Sequence, residues 1–549
     1  TDPDRLTALV LLSVEAEGVS PMIFYRTDCA DMGLSESDID EAFIARAGAI
    51  CVTGTHFSAA GPAAAQHKAI RIAKALGKKV VFDIDYRPNL WGLAGHAAGF
   101  ERYVASDRVT KEYQSVLPDA DLVVGTEEEI AIAAGTSDLP SALKVIRGLT
   151  SATIVLKRGA MGCIVYDGTI PDDLEDGIVG QGFPIEVYNV LGAGDAFMSG
   201  FLRGWLRGEP HATSATWANA CGAFAVSRLL CAPEYPTWPE LTHFLEHGSS
   251  ERALRKDETL NHIHRTTTRR EAIPQMMALA IDHRSQLEEL PGANSERLRA
   301  FKRLAVKAAT RVARGRTGFG MLLDDKYGRD ALFDAEQAGL WIAKPIELPG
   351  SRPLRFEFSQ DVGSRLVDWP VDHCIKVLCF YHPDDPATLK AEQIDKLGVA
   401  HDAARKIGRD LLIEVIASKH GATDDTTISR ALTELYDAGL KPDWWKLESQ
   451  ASAAAWAAID GVIGTRDPYC RGVVLLGLDA PQDALERGFA LARQARTVKG
   501  FAVGRTIFAE PARAWLAGTI DDDSAITEMA RRFEALSEFW QRLGETEAA

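Results

Sequence analysis

The segment NVLGAGDAFMSGFL, residues 189–202, places small residues directly before an aspartate and an apolar helical stretch. Gly192, Ala193 and Gly194 leave the first backbone N–H groups of the predicted helix uncrowded, so that an anion can approach them closely. Asp195 carries the wrong sign of charge to bind that anion, but it is well placed to take a proton from a group that attacks a phosphate. The segment therefore predicts an anion hole with a general base beside it, although GAGD alone also fits an ordinary helix cap.

The longer pattern, N-V-x-G-A-G-D followed by S-G-F-L, resembles the second signature of the ribokinase-like (PfkB) family of carbohydrate kinases. The resemblance implies that Asp195 is the general base. It also implies that the amides of Gly192, Ala193 and Gly194 surround the transferred phosphoryl group. ATP with Mg²⁺ is implied as well, the ion arriving with the nucleotide and not being bound tightly by the protein.

Two more segments resemble motifs of this family that lie near the sugar, the phosphates and the metal. VFDIDYRPNLW is similar to D-x-N-x-R-x-x-L-W, with Asp85 where asparagine is usual, and implies that Arg87 contacts the substrate. VVGTEEE is similar to N-x-x-E, with Gly125 in place of the asparagine, and implies that Glu128 orients magnesium-bound water. For Glu128 taken alone, a solvated helix start is the alternative.

LKRGAMGC and ANACGAFAVSRLLCAPEYPT resemble the parts of the family that lie beside the nucleotide. The implied nucleotide or phosphate contacts are Lys157, Gly159, Gly162 and Asn219. Arg26, in MIFYRTDCAD, resembles a sugar-side arginine that pairs with a substrate carboxylate, or it is a surface residue at a strand end. Family members open with a Gly-Gly segment that closes on the sugar. Because nothing similar precedes LTALVLLSVEAEG, we expect the chain to begin part-way through the kinase domain.

Composition limits the classes of partner. The 549 residues suffice for two large α/β domains or three smaller ones. A formal net charge of -16 repels a nucleic-acid backbone, and no apolar run approaches the roughly 20 residues that cross a bilayer. The eight cysteines are scattered without paired spacing, so neither a zinc site nor a disulfide framework is predicted. We expect a cytoplasmic homo-oligomer that binds small molecules, with no nucleic acid or membrane as partner.

Residues 1–245 alternate short strand-like runs with Ala-rich helical patterns. The runs are AGAICVTG, KKVVFDID, ADLVVGT, ATIVLKRG and GCIVYDG. This alternation predicts an open, mostly parallel sheet with helices on both faces, in agreement with the three-layer αβα domain that the ribokinase-like resemblance implies. Ligands should bind beyond the carboxyl ends of the strands, where Asp83, Gly125 and Gly192 fall.

Residues 246–272 lose the apolar periodicity and predict a surface connection, in which His262 and His264 are solvated and lack the partners of a metal site. Residues 273–549 contain eight further apolar runs, most of them separated by helix-length spacers. Eight such units over this length are typical of a (β/α)8 TIM barrel, whose site lies at the carboxyl ends of its strands.

Four charged residues interrupt or end the apolar runs of the predicted barrel. They are Lys446 in DWWKLES, Lys376 in IKVLCFY, Glu414 in DLLIEVIA and Asp282 at the end of MMALAID. Because burying a charge is costly, such residues need a partner or a task. A lysine whose pKa is lowered by an apolar wall and a second lysine can form a Schiff base with a ketone, while a carboxylate moves protons. We predict a class I aldolase, with a cation–π contact of Lys446 as the alternative.

MALAIDHRSQL, LLDDKYG, IKVLCFYHPDD, LLIEVIAS, WWKLES and FAVGRTIF together resemble class I tagatose 1,6-bisphosphate aldolase. The resemblance implies that Lys446 forms the Schiff base and that Glu414, Lys376 and Asp282 are its acid–base and polarising partners, without a metal. Candidate phosphate contacts are Arg284, Gly504 and Arg505. Two alternatives stay open, which are Lys344 as the reactive amine and a metal held by Asp324 and Asp325.

Within the kinase family, VTGTHFS, VVGTEEEIAIAAG and ANACGAFAVSR are most similar to kinases of 5-dehydro-2-deoxygluconate in inositol catabolism. Phosphorylation of this sugar acid produces a substrate that an aldolase can cleave to dihydroxyacetone phosphate and malonate semialdehyde. The two resemblances therefore predict a bifunctional kinase and aldolase. The alternatives are another keto-deoxy sugar acid as substrate, or an aldolase that carries a non-catalytic kinase-like assembly module.

Overall fold

The computed structural model describes residues 2–13, 22–96, 101, 103–269, 271–357 and 361–548. The chain forms two compact units, Thr1–Thr268 and Arg269–Ala549, which we call the first unit and the barrel unit. None of the helices in the described stretches is long and apolar enough to cross a membrane.

The first unit contains eight strands and nine α-helices. The strands are β1 Leu9–Leu12, β2 Met22–Tyr25, β3 Ala49–Thr53, β4 Lys79–Asp83, β5 Leu122–Thr126, β6 Thr153–Lys157, β7 Cys163–Tyr166 and β8 Ile178–Gly180. The helices are α1 Glu41–Ala45, α2 Ala60–Ala75, α3 Asp107–Val116, α4 Glu127–Ala134, α5 Leu139–Leu149, α6 Ala193–Trp205, α7 His211–Ser227, α8 Trp238–His247 and α9 Glu258–Thr267. These counts refer to the described residues of the unit.

Strands β3 to β8 form one sheet in sequence order. The pairs from β3 to β6 are parallel, and β7 and β8 add two antiparallel pairs. This confirms the mostly parallel sheet and all five predicted strands. Strand β8 and the separate antiparallel pair β1–β2 were not predicted.

Helices cover both faces of this sheet. Phe82 packs with Tyr113 of α3 on one face, whereas its neighbour Val81 packs with Phe201 of α6 and Ala218 of α7 on the other. Successive side chains of a strand point to opposite faces, and here both faces are apolar, as a sheet buried on both sides requires. The three-layer αβα prediction is confirmed.

The segment 246–272 differs from the predicted surface connection. The boundary between the units lies within it, and residues 258–267 form helix α9 of the first unit. Leu260 and Ile263, three positions apart, are buried on one side of this helix. His262 is buried, and Nδ1 of His264 lies 2.8 Å from Oε2 of the buried Glu240. The solvated state predicted for the two histidines is wrong. Two buried apolar residues are enough to pack this otherwise polar helix against the first unit, and the histidines are carried with it.

The barrel unit contains eight strands and ten α-helices in its described part. The strands are β9 Met276–Ala280, β10 Phe319–Leu322, β11 Trp341–Pro345, β12 Cys374–Cys379, β13 Leu411–Val415, β14 Trp444–Leu447, β15 Gly472–Leu476 and β16 Val498–Val503. The helices are α10 Ser285–Glu288, α11 Ser295–Ala313, α12 Asp325–Gln337, α13 Val362–Leu366, α14 Ala387–Lys406, α15 Thr427–Asp437, α16 Ala453–Arg466, α17 Gln482–Ala492, α18 Arg505–Leu516 and α19 Asp522–Ala548. The strands close into a parallel barrel in sequence order, which confirms the predicted TIM barrel.

Side chains alternate between the barrel interior and the surrounding helices. Cys374, Leu412 and Trp444 belong to the apolar cluster inside the barrel, and their neighbours Ile375, Ile413 and Trp445 pack in the outer core. Residues two positions beyond the inner cluster also face the interior. Three of the four predicted charged residues, those on β12, β13 and β14, occupy such positions.

Candidate functional site

The anion hole predicted in the first unit lies at the start of helix α6. Gly192 adopts the left-handed conformation with a φ of 79°, and its carbonyl accepts a hydrogen bond of 2.8 Å from the Tyr235 hydroxyl. A Cβ atom at this position would lie 2.4 Å from that hydroxyl oxygen, so the turn requires glycine. Ala193 and Gly194 begin the helix and expose its first N–H groups.

Lys157 joins this helix start to the carboxyl ends of the strands. Its Nζ lies 3.4 Å from Oδ1 of Asp83 and 3.4 Å from Oε2 of Glu129. A Cβ atom on Gly194 would lie 3.6 Å from the same Nζ. Burial raises the pKa of Asp83 to about 7, although the nearby Lys157 ammonium opposes this shift. The cluster therefore brings one ammonium close to the anion hole and neutralises it with carboxylates.

Asp195 lies in the first turn of α6 with its side chain at the surface. Its pKa is raised, first by partial desolvation and second by the negative charge of Asp85. Asp85 accepts a 2.5 Å hydrogen bond from the Thr55 hydroxyl, and its Oδ1 lies 3.0 Å from Nη2 of Arg87. The Nη1 atom of Arg87 is buried and has no hydrogen-bond partner among the described residues. A donor near Asp195 is thus left for a ligand.

The structure places Glu128 differently from its neighbour Glu129. Glu128 is exposed in the first turn of α4, whereas Glu129 is buried and reaches Lys157. Thr126 and Glu129 also form a capping box, each accepting a hydrogen bond from the backbone of the other. Sequence reasoning missed Glu129, for which the T-x-x-E spacing was the available signal.

Other predicted contacts of the first unit already have partners within the protein. Arg26 Nε donates to Asp31 at 3.1 Å. The Asn219 amide donates to the Gln181 carbonyl at 3.1 Å. Gly159 and Gly162 form the β6–β7 turn with φ of 58° and 87°. The structure does not bring Asn219 into the Lys157 cluster, because its side chain ties α7 to the chain after β8.

The barrel unit holds a cavity of about 170 Å³ at the carboxyl ends of its strands. The predicted residues that line it are Asp282, Arg284, Lys376, Glu414, Lys446, Gly504 and Arg505. They come from three strands, β12, β13 and β14, and from the segments that follow the first and eighth strands. The structure therefore collects in one place residues that are more than two hundred positions apart in the chain.

Glu414 connects the two lysines of this cavity. Its Oε1 lies 3.1 Å from Nζ of Lys446, and its Oε2 lies 2.9 Å from Nζ of Lys376. Lys376 also lies 3.1 Å from Oδ2 of Asp282. The parallel register that sets Glu414 beside Lys446 explains their contact.

Burial alone would favour the neutral forms of these groups, but the opposite charges outweigh it. The Lys376 ammonium holds the pKa of Asp282 and of Glu414 below the usual range, and the carboxylates raise the pKa of Lys376 in turn. Lys376 is therefore a permanent cation. Among the described residues, Lys446 has one ion-pair partner, Glu414.

Glu347, which sequence reasoning missed, is a second bridge. One of its oxygens, Oε1, lies 3.1 Å from Lys376 and 3.0 Å from Arg284. The other guanidinium nitrogen of Arg284 lies 2.8 Å from Glu357. Arg284 is thus paired with two carboxylates and offers less charge to a phosphate than predicted. Glu347 continues the inward alternation of Ala343, which was the available signal.

The remaining phosphate candidates lie where the loops after β15 and β16 meet. Gly504 precedes α18, and a Cβ atom there would lie 2.3 Å from the Ala280 carbonyl. Arg505 Nη1 lies 3.3 Å from Asp479. Leu478 and Asp479 have φ of 45° and 65°, a strained pair that is typical of functional loops.

The two alternatives for the barrel chemistry involve residues outside this cavity. Lys344 faces outward beside the inner residue Ala343, with Nζ 2.8 Å from Asp325 and 3.8 Å from the ring centroid of Trp369. Asp324 pairs with the fully buried Lys302. Neither Asp324 nor Asp325 belongs to a group of three potential metal ligands in the described parts of the chain.

Lys302 also supports the cavity from behind. Its Nζ donates to the carbonyls of Ile281 at 2.6 Å and His283 at 3.0 Å. These two residues flank Asp282. The buried ion pair with Asp324 therefore fixes the backbone that presents the Asp282 carboxylate.

Comparison with known proteins connects both units to families. The profile of the pfkB family of carbohydrate kinases matches residues 1–238. The profile described as an uncharacterized protein conserved in bacteria (DUF2090) matches residues 240–544. A relative from Shouchella clausii, named 5-dehydro-2-deoxygluconokinase, is 31% identical over 249 residues, which are 44% of this chain and 68% of the relative. The chain belongs to the pfkB and DUF2090 families.

This membership confirms the ribokinase-like resemblance of the first unit, now called the kinase unit. A second 5-dehydro-2-deoxygluconokinase, from Halalkalibacterium halodurans, is 28% identical over 257 residues, covering 46% of this chain and 70% of the relative. A solved PfkB protein from Polaromonas sp. JS666 matches with 25% identity and a TM-score of 0.35 over 44% of this chain and 72% of that protein.

Proposed function

We propose that the chain phosphorylates 5-dehydro-2-deoxygluconate with ATP and cleaves the 6-phosphate into dihydroxyacetone phosphate and malonate semialdehyde. The names of the kinase relatives support the first reaction. The observation that carries the second is the chain of contacts from Lys446 through Glu414 and Lys376 to Asp282 inside the cavity. Such a chain supplies a nucleophile together with groups that accept and donate protons.

In the kinase unit, Asp195 takes the proton of the substrate hydroxyl as that oxygen attacks the terminal phosphate of ATP. The N–H groups at the start of α6 and Nη1 of Arg87 stabilise the negative charge of the transferred group. Asp85 orients Arg87, and Lys157, paired with Asp83 and Glu129, supports the helix start close to Gly194.

The residues present suit an ion that accompanies the nucleotide. The exposed carboxylates of Glu128 and Asp195 leave room for water-mediated contacts, as Mg²⁺ in kinases prefers. When bound, the ion neutralises phosphate charge.

In the barrel unit, Nζ of Lys446 attacks the ketone carbon C5, and loss of water leaves an iminium. A carboxylate, Glu414 or Asp282, then takes the proton of the C3 hydroxyl. The C3–C4 bond breaks, its electron pair moves to C4 to give an enamine, and malonate semialdehyde leaves. Protonation at C4 and addition of water release dihydroxyacetone phosphate and return the lysine amine.

Reduction by borohydride in the presence of dihydroxyacetone phosphate tests the barrel chemistry. We expect a stable adduct on Lys446 by peptide mass mapping, and none in Lys446→Met. Lys344→Met is the matched control, since this lysine faces outward, and it should be labelled like the parent. An adduct on Lys376 would correct the site, and no adduct despite demonstrable binding would contradict Schiff-base chemistry.

A further inference from the structure

The wall of the barrel cavity changes from charged to apolar between Lys446 and the cavity mouth. Leu378, Phe380, Ile416 and Leu476 form an apolar cluster, and all four line the cavity. In the register of the strands, Lys446 lies between Glu414 and Val474. Ile416 and Leu476 follow these neighbours by two residues, so they lie one layer nearer the mouth. A carbon chain that extends from the Lys446 amine toward the mouth meets this apolar strip.

Two cations lie at the rim of the cavity, on different sides. Arg505 follows the eighth strand and has Asp479 as its partner at 3.3 Å. Lys419 follows the fifth strand, β13, and its Nζ lies 5.8 Å from the ring centroid of Phe380. No described residue forms an ion pair with Lys419. The apolar strip therefore ends at a cation whose charge is available to a ligand.

We propose that Lys419 and the apolar strip select an aldehyde that carries a carboxylate, with an unhydroxylated carbon between the two groups. This inference rests on the proposed aldolase function. If the phosphate lies by Gly504 and Arg505, the other half of the substrate extends from Lys446 toward the fifth strand. Its CH₂ group then contacts the strip and its carboxylate pairs with Lys419.

The same arrangement disfavours polyhydroxylated aldehydes. A hydroxyl group on the carbon beside the strip would be buried without a hydrogen-bond partner, which costs binding energy. A neutral aldehyde would fit the strip but would leave Lys419 without an anion. Lys419 therefore selects for the carboxylate, and the apolar strip selects against a hydroxyl group on the neighbouring carbon.

The condensation reaction tests this assignment with dihydroxyacetone phosphate as donor and malonate semialdehyde or propanal as acceptor. For Lys419→Met we expect kcat/KM with malonate semialdehyde to fall by about tenfold or more, as for loss of one charge-assisted contact. The value for propanal should stay unchanged. Lys419→Arg should restore most of the preference. Lys406→Met, which removes an exposed lysine of α14, should behave like the parent.

Equal loss for both acceptors, or no loss for either, would overturn the role of Lys419. Borohydride trapping with dihydroxyacetone phosphate alone separates this failure from failure of the aldolase itself. The parent and Lys419→Met should trap equally on Lys446, because this donor does not reach the fifth-strand rim. Absence of the adduct in the parent would contradict both the Schiff-base aldolase and the role of Lys419, and would leave the kinase reaction untouched.

Discussion

Both units bury a lysine among carboxylates at the carboxyl ends of parallel strands, but they use it differently. In the kinase unit, Lys157 is held by Asp83 and Glu129, while Asp195, the proposed base, lies on a helix outside the cluster. In the barrel unit, Lys376 pairs with several carboxylates, whereas Lys446 pairs only with Glu414 among the residues that the structure describes. The buried charges of the barrel themselves line the cavity.

The difference follows from the chemistry. Phosphoryl transfer asks the protein mainly to position groups and stabilise charge, so a fully neutralised lysine suffices. Aldol cleavage through a Schiff base asks for a nucleophilic amine, which several carboxylates would keep protonated. In the proposed mechanism, Lys376 remains a cation held by its carboxylates, and Lys446 is the nucleophile.

The largest effect is expected from removing the barrel nucleophile. Lys446→Met should lower the cleavage rate at least about a thousandfold, because the neighbouring amine of Lys376 is held as a cation by its carboxylates. The kinase rate should stay unchanged. Cleavage of the synthetic 6-phosphate, followed by coupled reduction of dihydroxyacetone phosphate, measures the loss. Near-normal cleavage would show that another amine does the work.

Removing the kinase base gives the complementary result. Asp195→Asn should lower the phosphorylation rate by about 10²–10⁴-fold, the range typical of a lost general base. Cleavage of supplied 6-phosphate should be unaffected. The phosphorylation rate is measured as the release of ADP. A normal rate in this variant would mean that Asp195 is only a helix-start residue.

The Lys302–Asp324 ion pair is expected to stabilise the barrel and to take no part in the reaction. Lys302→Met leaves a buried carboxylate without its partner, which should cost about 3–5 kcal/mol of barrel stability. Thermal unfolding, with hydrogen exchange of the β9 peptides, measures the loss. The double variant Lys302→Met with Asp324→Asn should recover part of it. Equal stability of all three proteins would contradict the buried pair.

The smallest effect concerns the charge beside the kinase base. Desolvation and the negative charge of Asp85 raise the pKa of Asp195. Since the base must be ionised, phosphorylation falls as pH drops through that raised pKa. Asp85→Asn removes one raising charge, so the acid limb should move to lower pH, by about one unit or less. The pH profile of cleavage serves as the internal control, and an unchanged kinase limb would argue against the coupling.

Periodicity predicted most of the fold because both units repeat one simple alternation. Charged residues inside apolar runs predicted the barrel cavity, since a charge at an inward position needs a function. The residues that support the sites were harder to predict from the sequence. Glu347 and Lys302 find their partners only through tertiary packing, and the adjacent Glu128 and Glu129 lie about 100° apart around the helix axis. The T-x-x-E spacing of a capping box is the local feature that marks Glu129 and not Glu128.

Mass balance in one vessel tests most directly whether the two units act in sequence. The full chain, supplied with 5-dehydro-2-deoxygluconate, ATP and Mg²⁺, should release ADP and dihydroxyacetone phosphate in equal amounts. Lys446→Met should release ADP alone and accumulate the 6-phosphate, and Asp195→Asn should release neither. Dihydroxyacetone phosphate without ADP, or ADP without dihydroxyacetone phosphate from the unaltered chain, would contradict the account.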